Sequence, residues 1–261
     1  MNGATPVIAR PMASAKLRLS IGEGTAEVPI QVPSDPVAAE EVLPAVRRIH
    51  DALVEGAKRL AARDGKAVSC QRGCAACCRQ VAAVADVEAR ALANLVAALP
   101  EPRRGIVEAR FVDALARMEA ADLARPLMEA GESGDAGPAS HRLGVAYHRL
   151  AIACPFLEDE ACSIYADRPL SCRQYMVVSP PVHCQTLESP EVHALTVHGM
   201  AGALQELTAA EPGARRRWIA LPAILDWARA NPVTSERKPG PAWIAKLLAA
   251  AAKTGPTPPA G

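Results

Sequence analysis

Leu17, Leu19 and Ile21 alternate with polar residues. Gly22-Glu23-Gly24-Thr25 interrupts them, and Ala26, Val28, Ile30 and Val32 then alternate again. A period of two on both sides of a glycine-rich break predicts a β-hairpin with one apolar face. Pro29 has no N–H for a ladder and places the second strand at an edge. From Pro36 the period changes. Val42, Val46, Ile49, Leu53 and Leu60 recur at spacings of three, four and seven, which predicts helix over 36–63, ended by Gly65. Pro44 belongs to its first turn or divides it in two. His50, beside charged residues on that helix, is expected in solvent.

Val81 to Ala85 is short, apolar and suited to an extended segment. Asp86 is a candidate N-cap for a helix over 87–99 stopped by Pro100, and a further helix is expected over 103–123. The run 131–140, rich in Gly, Ser and Pro, predicts a flexible loop. Helical patterns return at 191–210, 214–230 and 242–253, and the Pro-rich end 254–261 predicts a frayed tail. The fold class expected is mainly α with small β-hairpins, a single irregular helical domain organised around a cysteine metal site. The expected parts are an N-terminal tail and hairpin (1–35), a cysteine-cluster domain (36–190), a C-terminal helical extension (191–253) and a disordered tail (254–261).

Charge and composition narrow the function classes. The formal net charge is +1, against a nucleic-acid or membrane-surface partner, and only 3% of residues are aromatic, too few for base-stacking platforms. Half of the chain is apolar, but no stretch of about 18 apolar residues offers a membrane span. Residues 1–18 lack a charged start followed by an apolar run, so a cytoplasmic protein is expected. No glycine-rich phosphate loop, GxGxxG, HExxH or Ser/His/Asp order stands out. Arg215-Arg216-Arg217 reads as a solvated helix face. A protein partner is left open.

Eight cysteines change the picture, because they fall in two groups. The first is Cys70, Cys74, Cys77 and Cys78, followed by Arg79. On an ideal helix these four fall within an arc of roughly 100°. Gly73 allows another reading, a loop holding Cys70 and a helix starting near Cys74. Adjacent cysteines rarely serve one ion with good geometry, so Cys77 and Cys78 are open to separate jobs. The second group is Cys154-Pro-Phe-Leu, Cys162-Ser-Ile-Tyr, Arg168-Pro-Leu-Ser-Cys172-Arg-Gln-Tyr175 and Cys184. Glu158-Asp159-Glu160 reads as a hairpin tip, and Pro169 as the first turn of a short helix carrying Cys172. Clustered thiols in a reducing compartment point to metal rather than disulfides. Soft thiolates select Zn²⁺ or an iron–sulfur cluster over hard cations. The candidate ligands are therefore Cys70, Cys74, Cys77, Cys78, Cys154, Cys162, Cys172 and Cys184. Arg79 and Arg173 either offset cluster charge or lie solvated at the surface. His183 is a further donor beside Cys184. The two groups are expected to converge, with at least one site drawing on both.

As an ordered set, these motifs resemble the YkgJ-type cysteine-cluster family, whose CxxCxxCC domain is ascribed zinc or iron chelation. The resemblance spans Cys70 to about Tyr175 and implies metal ligation by Cys70, Cys74, Cys77, Cys78, Cys154, Cys162 and Cys172. It leaves zinc and a four-iron, four-sulfur cluster both open, and with them a redox-related role. The first gap here is three residues where the family's label has two. The cysteine motif is also similar to that of flagellin lysine-N-methylases, which implies protein-lysine methyl transfer as an alternative, so whether the chain is an enzyme stays open. The spacing of Cys70, Cys74 and Cys77 matches radical S-adenosylmethionine enzymes, but the mostly helical pattern disagrees with their partial (β/α) barrel.

Overall fold

The computed structural model describes residues 10–22, 24–134, 137–186, 189, 191–197, 200–208, 217–232 and 236–253. Strands β1 (Met12–Ile21) and β2 (Gly24–Pro33) form the expected hairpin, antiparallel, with Ile21 opposite Gly24 and Met12 opposite Pro33. Gly22 turns the chain at φ +58°, and Glu23 lies outside the described residues. Val28, Ile30 and Val32 point inward, as their period of two requires. The chain continues through β3 (Pro36–Val37), a 3₁₀ turn at Ala39–Val42 and α1 (Leu43–Arg63). Helix thus begins seven residues later than the pattern predicts. Pro44 sits in the first turn, where its missing N–H has no helical partner to lose. Gly65 ends the helix at φ +71°.

Then follow β4 (Ala83–Val84), α2 (Asp86–Ala97), α3 (Arg103–Ala120), α4 (Ala124–Ser133), α5 (Pro138–Arg149), β5 (Leu157–Glu158), β6 (Ala161–Cys162), α6 (Leu170–Gln174), α7 (Met200–Gln205), β7 (Ile219–Ala220), α8 (Ile224–Ala230), β8 (Lys238–Pro239) and α9 (Gly240–Ala251). The fold class is mainly α with small antiparallel strand pairs: β1–β2, β3–β8, β4–β7 and β5–β6.

Several local expectations are corrected. Ala85, not Asp86, caps α2; Asp86 is its first residue, where its carboxylate accepts the Val87 N–H at 2.7 Å and pairs with Arg90. Gly131 to Ser133 are the last residues of α4, not loop. Gly131 serves packing there, since a Cβ would lie 2.1 Å from the Trp218 carbonyl. Residues 135–136 of that expected loop lie outside the described residues. Among the described residues, helix over 191–210 reduces to α7. Its first part is extended instead, because the segment at Met176–Val178 takes up its hydrogen bonds: Val178 N–H to His193 at 2.8 Å and Leu195 N–H to Met176 at 2.7 Å. Among the described residues of 214–230, only Ile224–Ala230 is α-helix, after β7 has paired with β4. Residues 198–199, 209–210 and 214–216 of these ranges, and the tail 254–261, lie outside the described residues.

The first core joins both ends of the chain. Val32, Val37, Ile49, Leu170, Leu204, Trp243 and Leu247 lie in it, and the Trp243 indole N–H donates to the Val37 carbonyl at 2.9 Å. A second core lies between α2, α3 and the 219–225 segment, with Phe111 edge-on to Phe156 at 5.3 Å. Cys154 and Cys162 pack against this second core. Among the described residues, no helix is long and apolar enough to cross a membrane.

Candidate metal centre

The first cysteines stand on turns, not on one helical arc. Gly73 at φ +93° breaks the segment. Cys70 ends an extended stretch in which Ser69 N–H donates to the Val177 carbonyl at 2.9 Å. The Val177 N–H in return donates to Cys70 Sγ at 3.3 Å. Cys74 closes a turn back to Gln71, and Cys77 and Cys78 lie in a 3₁₀ turn at Ala76–Arg79. The loop reading allowed by Gly73 therefore holds, with a 3₁₀ turn in place of the expected helix.

The second group comes to meet them. The Cys154 N–H donates to the Cys78 carbonyl at 2.8 Å. Leu157 pairs with Cys162 across the β5–β6 hairpin, whose tip residues Asp159 and Glu160 both have positive φ. That is the backbone a two-residue tight hairpin needs. Pro169 precedes α6 as its cap, and α6 carries Cys172. Cys184 is on a 3₁₀ turn at Pro181–Gln185 packed against the Ala76–Arg79 turn. His148 ties the two turns, with Nε2 2.7 Å from the Gln185 carbonyl and Nδ1 3.4 Å from that of Arg79. Gln80 donates to the Cys184 carbonyl at 3.5 Å. All eight cysteines are free thiols; Cys184 is buried and the others half-buried.

Burial pushes the thiols of Cys154 and Cys172 up to about 12 and that of Cys184 up to about 11. Cys70 and Cys162 are raised for the same reason. Cys77 is raised first by its hydrogen bond with Cys78 and then by burial. Neighbouring thiolates add to this. Cys154 feels Cys172, Cys162 and Cys77, whereas Cys184 feels Cys70, Cys77 and Cys74. Arg168 works the other way, favouring the thiolates of Cys70, Cys77, Cys162 and Cys172. Its guanidinium lies 3.8 Å from the Tyr165 ring, and its buried Nε–H has no hydrogen-bond partner. That orphan donor and the all-sulfur donor set suit a bound anionic thiolate centre. With the thiols as they stand, no three His, Cys, Asp or Glu side chains among the described residues are drawn together enough to hold an ion.

Other expectations resolve differently. Arg79 forks onto Glu160 at 2.7 and 3.0 Å, at the surface. Arg173 is buried, and Asp51 and the carbonyls of Arg168 and Ala166 take up its donors. His183 pairs with Glu191 at 2.7 Å. His50 is fully buried rather than solvated, because the first core closes over that side of α1. Two residues escape a reading centred on cysteine. Arg168 is visible beforehand only as a letter in the Arg-Pro motif. Glu88 is buried among backbone donors and has no local signal beyond its place in the first turn of α2.

Fold and site together define a mainly helical protein whose irregular segments bring two distant groups of cysteines to one place. Residues 69–192 match the CxxCxxCC family, described as "Putative zinc- or iron-chelating domain". This segment of the chain is similar to that family's domain, and it contains all eight cysteines, Cys184 included. No curated protein and no solved structure matches the chain.

Proposed function

We propose that the chain holds an iron–sulfur cluster or zinc through thiolates drawn from Cys70, Cys74, Cys77, Cys78, Cys154, Cys162, Cys172 and Cys184. One observation carries this reading: the Ala76–Arg79 turn is bonded to Cys154 through the Cys78 carbonyl while it packs on the turn bearing Cys184. Segments with so little regular structure need cross-links, and metal–thiolate bonds supply them. A four-iron cluster would add one-electron chemistry tuned by hydrogen bonds to sulfur, and hence a redox role. Zinc in four thiolates would be closed and structural. Arg168 offsets the negative charge in either case, and the Val177 N–H steadies the sulfur of Cys70. A reducing cytoplasm is the compartment that keeps eight such thiols free to bind.

The full chain purified without oxygen is the material for the test. Elemental analysis should find iron with acid-labile sulfide, giving a brown protein that bleaches on reduction, or zinc in a colourless one. Protein empty of both, which takes up neither under reducing conditions, overturns the reading. The similarity to flagellin lysine-N-methylases carries the alternative, cluster-dependent methyl transfer to protein lysine. Methylated lysine formed by the iron-loaded chain supplied with S-adenosylmethionine as methyl donor, and by no cysteine variant lacking iron, would favour it.

A further inference from the structure

The β1–β2 hairpin is a two-stranded sheet, so each strand has an edge that its neighbour does not use. The Ser34 N–H donates to the Pro11 carbonyl at 3.0 Å, one step beyond the Met12–Pro33 end of the ladder and in the same register. Odd-numbered residues of β1 therefore turn their N–H and C=O groups to β2. The even-numbered Met12, Ser14, Lys16, Arg18 and Ser20 turn theirs outward. Opposite these five stand Pro33, Gln31, Pro29, Glu27 and Thr25, which form the outer edge of β2. Two of those are prolines with no N–H to offer, which keeps an edge from pairing. β1 has no proline over its ten residues. Among the described residues, no hydrogen bond takes up its outward backbone groups. Its apolar face is also less covered: Val28, Ile30 and Val32 of β2 are buried, whereas Leu17, Leu19 and Ile21 of β1 are half-buried.

Charge decides what this edge fits. Lys16 and Arg18 project from the solvent face of β1, and Arg48 of α1 shares a cleft with Ser14, Ala15 and Lys16. Arg59 and Arg63 stand beside Ile21 at the hairpin end. Among the described residues, only Arg18 of these five cations has an ion pair, with Glu27 at 3.8 Å. Both side chains of that pair are largely exposed, where such a contact contributes little. A second copy of β1 fits poorly. At the two antiparallel registers of longest overlap, Lys16 would face itself or Arg18, and like charges directly opposite are unfavourable.

We propose that the outer edge of β1 is a docking edge that takes an extended acidic segment of another protein as a third strand. The segment's backbone pairs with Ser14, Lys16, Arg18 and Ser20, and its carboxylates face Lys16, Arg18 and Arg48. In this mode of recognition main-chain hydrogen bonds supply affinity and the flanking side chains supply selectivity. The docking edge is independent of the thiolate-metal reading, since β1 packs on the first core, which contains no cysteine.

The test uses the full chain and two labelled peptides of equal length, one alternating valine with glutamate and the other valine with lysine. Fluorescence anisotropy at low salt should show the acidic peptide binding at least about tenfold more tightly than the basic one. Bound acidic peptide should slow the exchange of the Ser14, Lys16, Arg18 and Ser20 amides, followed by NMR. Ser14→Pro combined with Ser20→Pro removes two outward N–H groups but no charge and no ladder bond. It should weaken binding roughly tenfold and leave the thermal midpoint nearly unchanged. Lys16→Gln combined with Arg48→Gln should remove most of the preference for the acidic peptide. Equal affinity for the two peptides overturns the proposal, as does acidic-peptide binding that leaves the four amides unprotected. A chain that dimerises at micromolar concentration with those amides already protected overturns it in favour of a second copy. A single-stranded oligonucleotide that protects them better than the acidic peptide overturns it in favour of nucleic acid. Because binding and protection are both read in the unaltered chain, misfolding of a proline variant does not rescue the proposal.

Discussion

Glu88 and His50 are both buried near the start of α6, and their protons act on stability in opposite senses. The Glu88 carboxyl accepts the Leu170 N–H at 2.7 Å and the Ala85 N–H at 3.3 Å, but burial raises it to about 7. The folded protein therefore binds its proton more tightly than the unfolded chain does. The stability this proton contributes is present below the ordinary carboxylate range and is lost as pH rises to about 7. At His50 burial lowers the ring to about 4. Its contribution is present above the ordinary histidine value and is lost as pH falls towards 4. The two windows overlap, so in the native protein much of their pH dependence cancels. Glu88→Gln should leave a stability that rises with pH between about 4.5 and 6.5, and His50→Phe one that falls over the same range. Urea midpoints across that interval check both; parallel profiles for the two variants would refute the assignment. Arg168 acts on the thiols themselves. Arg168→Gln should weaken zinc retention by roughly tenfold in chelator competition, with little change in thermal midpoint, because it removes a supporting charge and not a ligand. Of the candidate site, the two groups of thiols were legible in the sequence, since thiol clustering is a local signal. Arg168, Glu88 and buried His50 were not, because distant segments complete their environments, as the Leu170 N–H on Glu88 shows across 82 residues.

At the scale of elements, close approach between secondary structures explains residues that local propensity misreads. Gly240 begins α9, where alanine would favour helix by about 1 kcal/mol. A Cβ there would lie 2.4 Å from the Pro33 carbonyl and 2.8 Å from Val32 Cβ at the end of β2. Backbone cannot move aside as a side-chain tip can, so Gly240→Ala should lower stability by about 1–3 kcal/mol despite its helical preference, read from chemical denaturation. The β1–β2 hairpin, α1, α2, α3 and α9 were legible because their apolar periods extend over two turns or more. Short elements were misjudged for the opposite reason. Gly131 reads as loop from composition, yet packing on Trp218 puts it inside α4. The 192–197 segment reads as helix, yet the exposed hydrogen-bonding edge of Met176–Val178 draws it out straight. A few residues carry too little period to outweigh a long-range partner.

For the whole molecule, the cores and the cysteines divide the work of holding the chain. The first core joins β2, α1, α7 and α9 without any cysteine, and its apolar burial is independent of metal. The region from Lys66 to Val81 and from Ile152 to Gln185 has mostly turns and two-residue strands, and Cys154 and Cys162 contribute to its second core. Loss of metal should therefore loosen one part and spare the other. After chelation, amides of Cys78, Gln80, Cys154 and Val177 should exchange with solvent much faster, whereas those in the middle of α1 and α9 should keep their protection. Acid should act in the same way as a chelator. Thiols that burial has raised to about 11 and 12 must give up protons to bind, so metal is retained above neutrality and released as pH falls. Hydrogen exchange followed by mass spectrometry at neutral pH, with and without chelator, separates the cases. Uniform loosening of α1 and α9 together with the cysteine segments would mean that the metal stabilises the entire fold, and no change anywhere would mean that the turns around the thiols are held by packing alone.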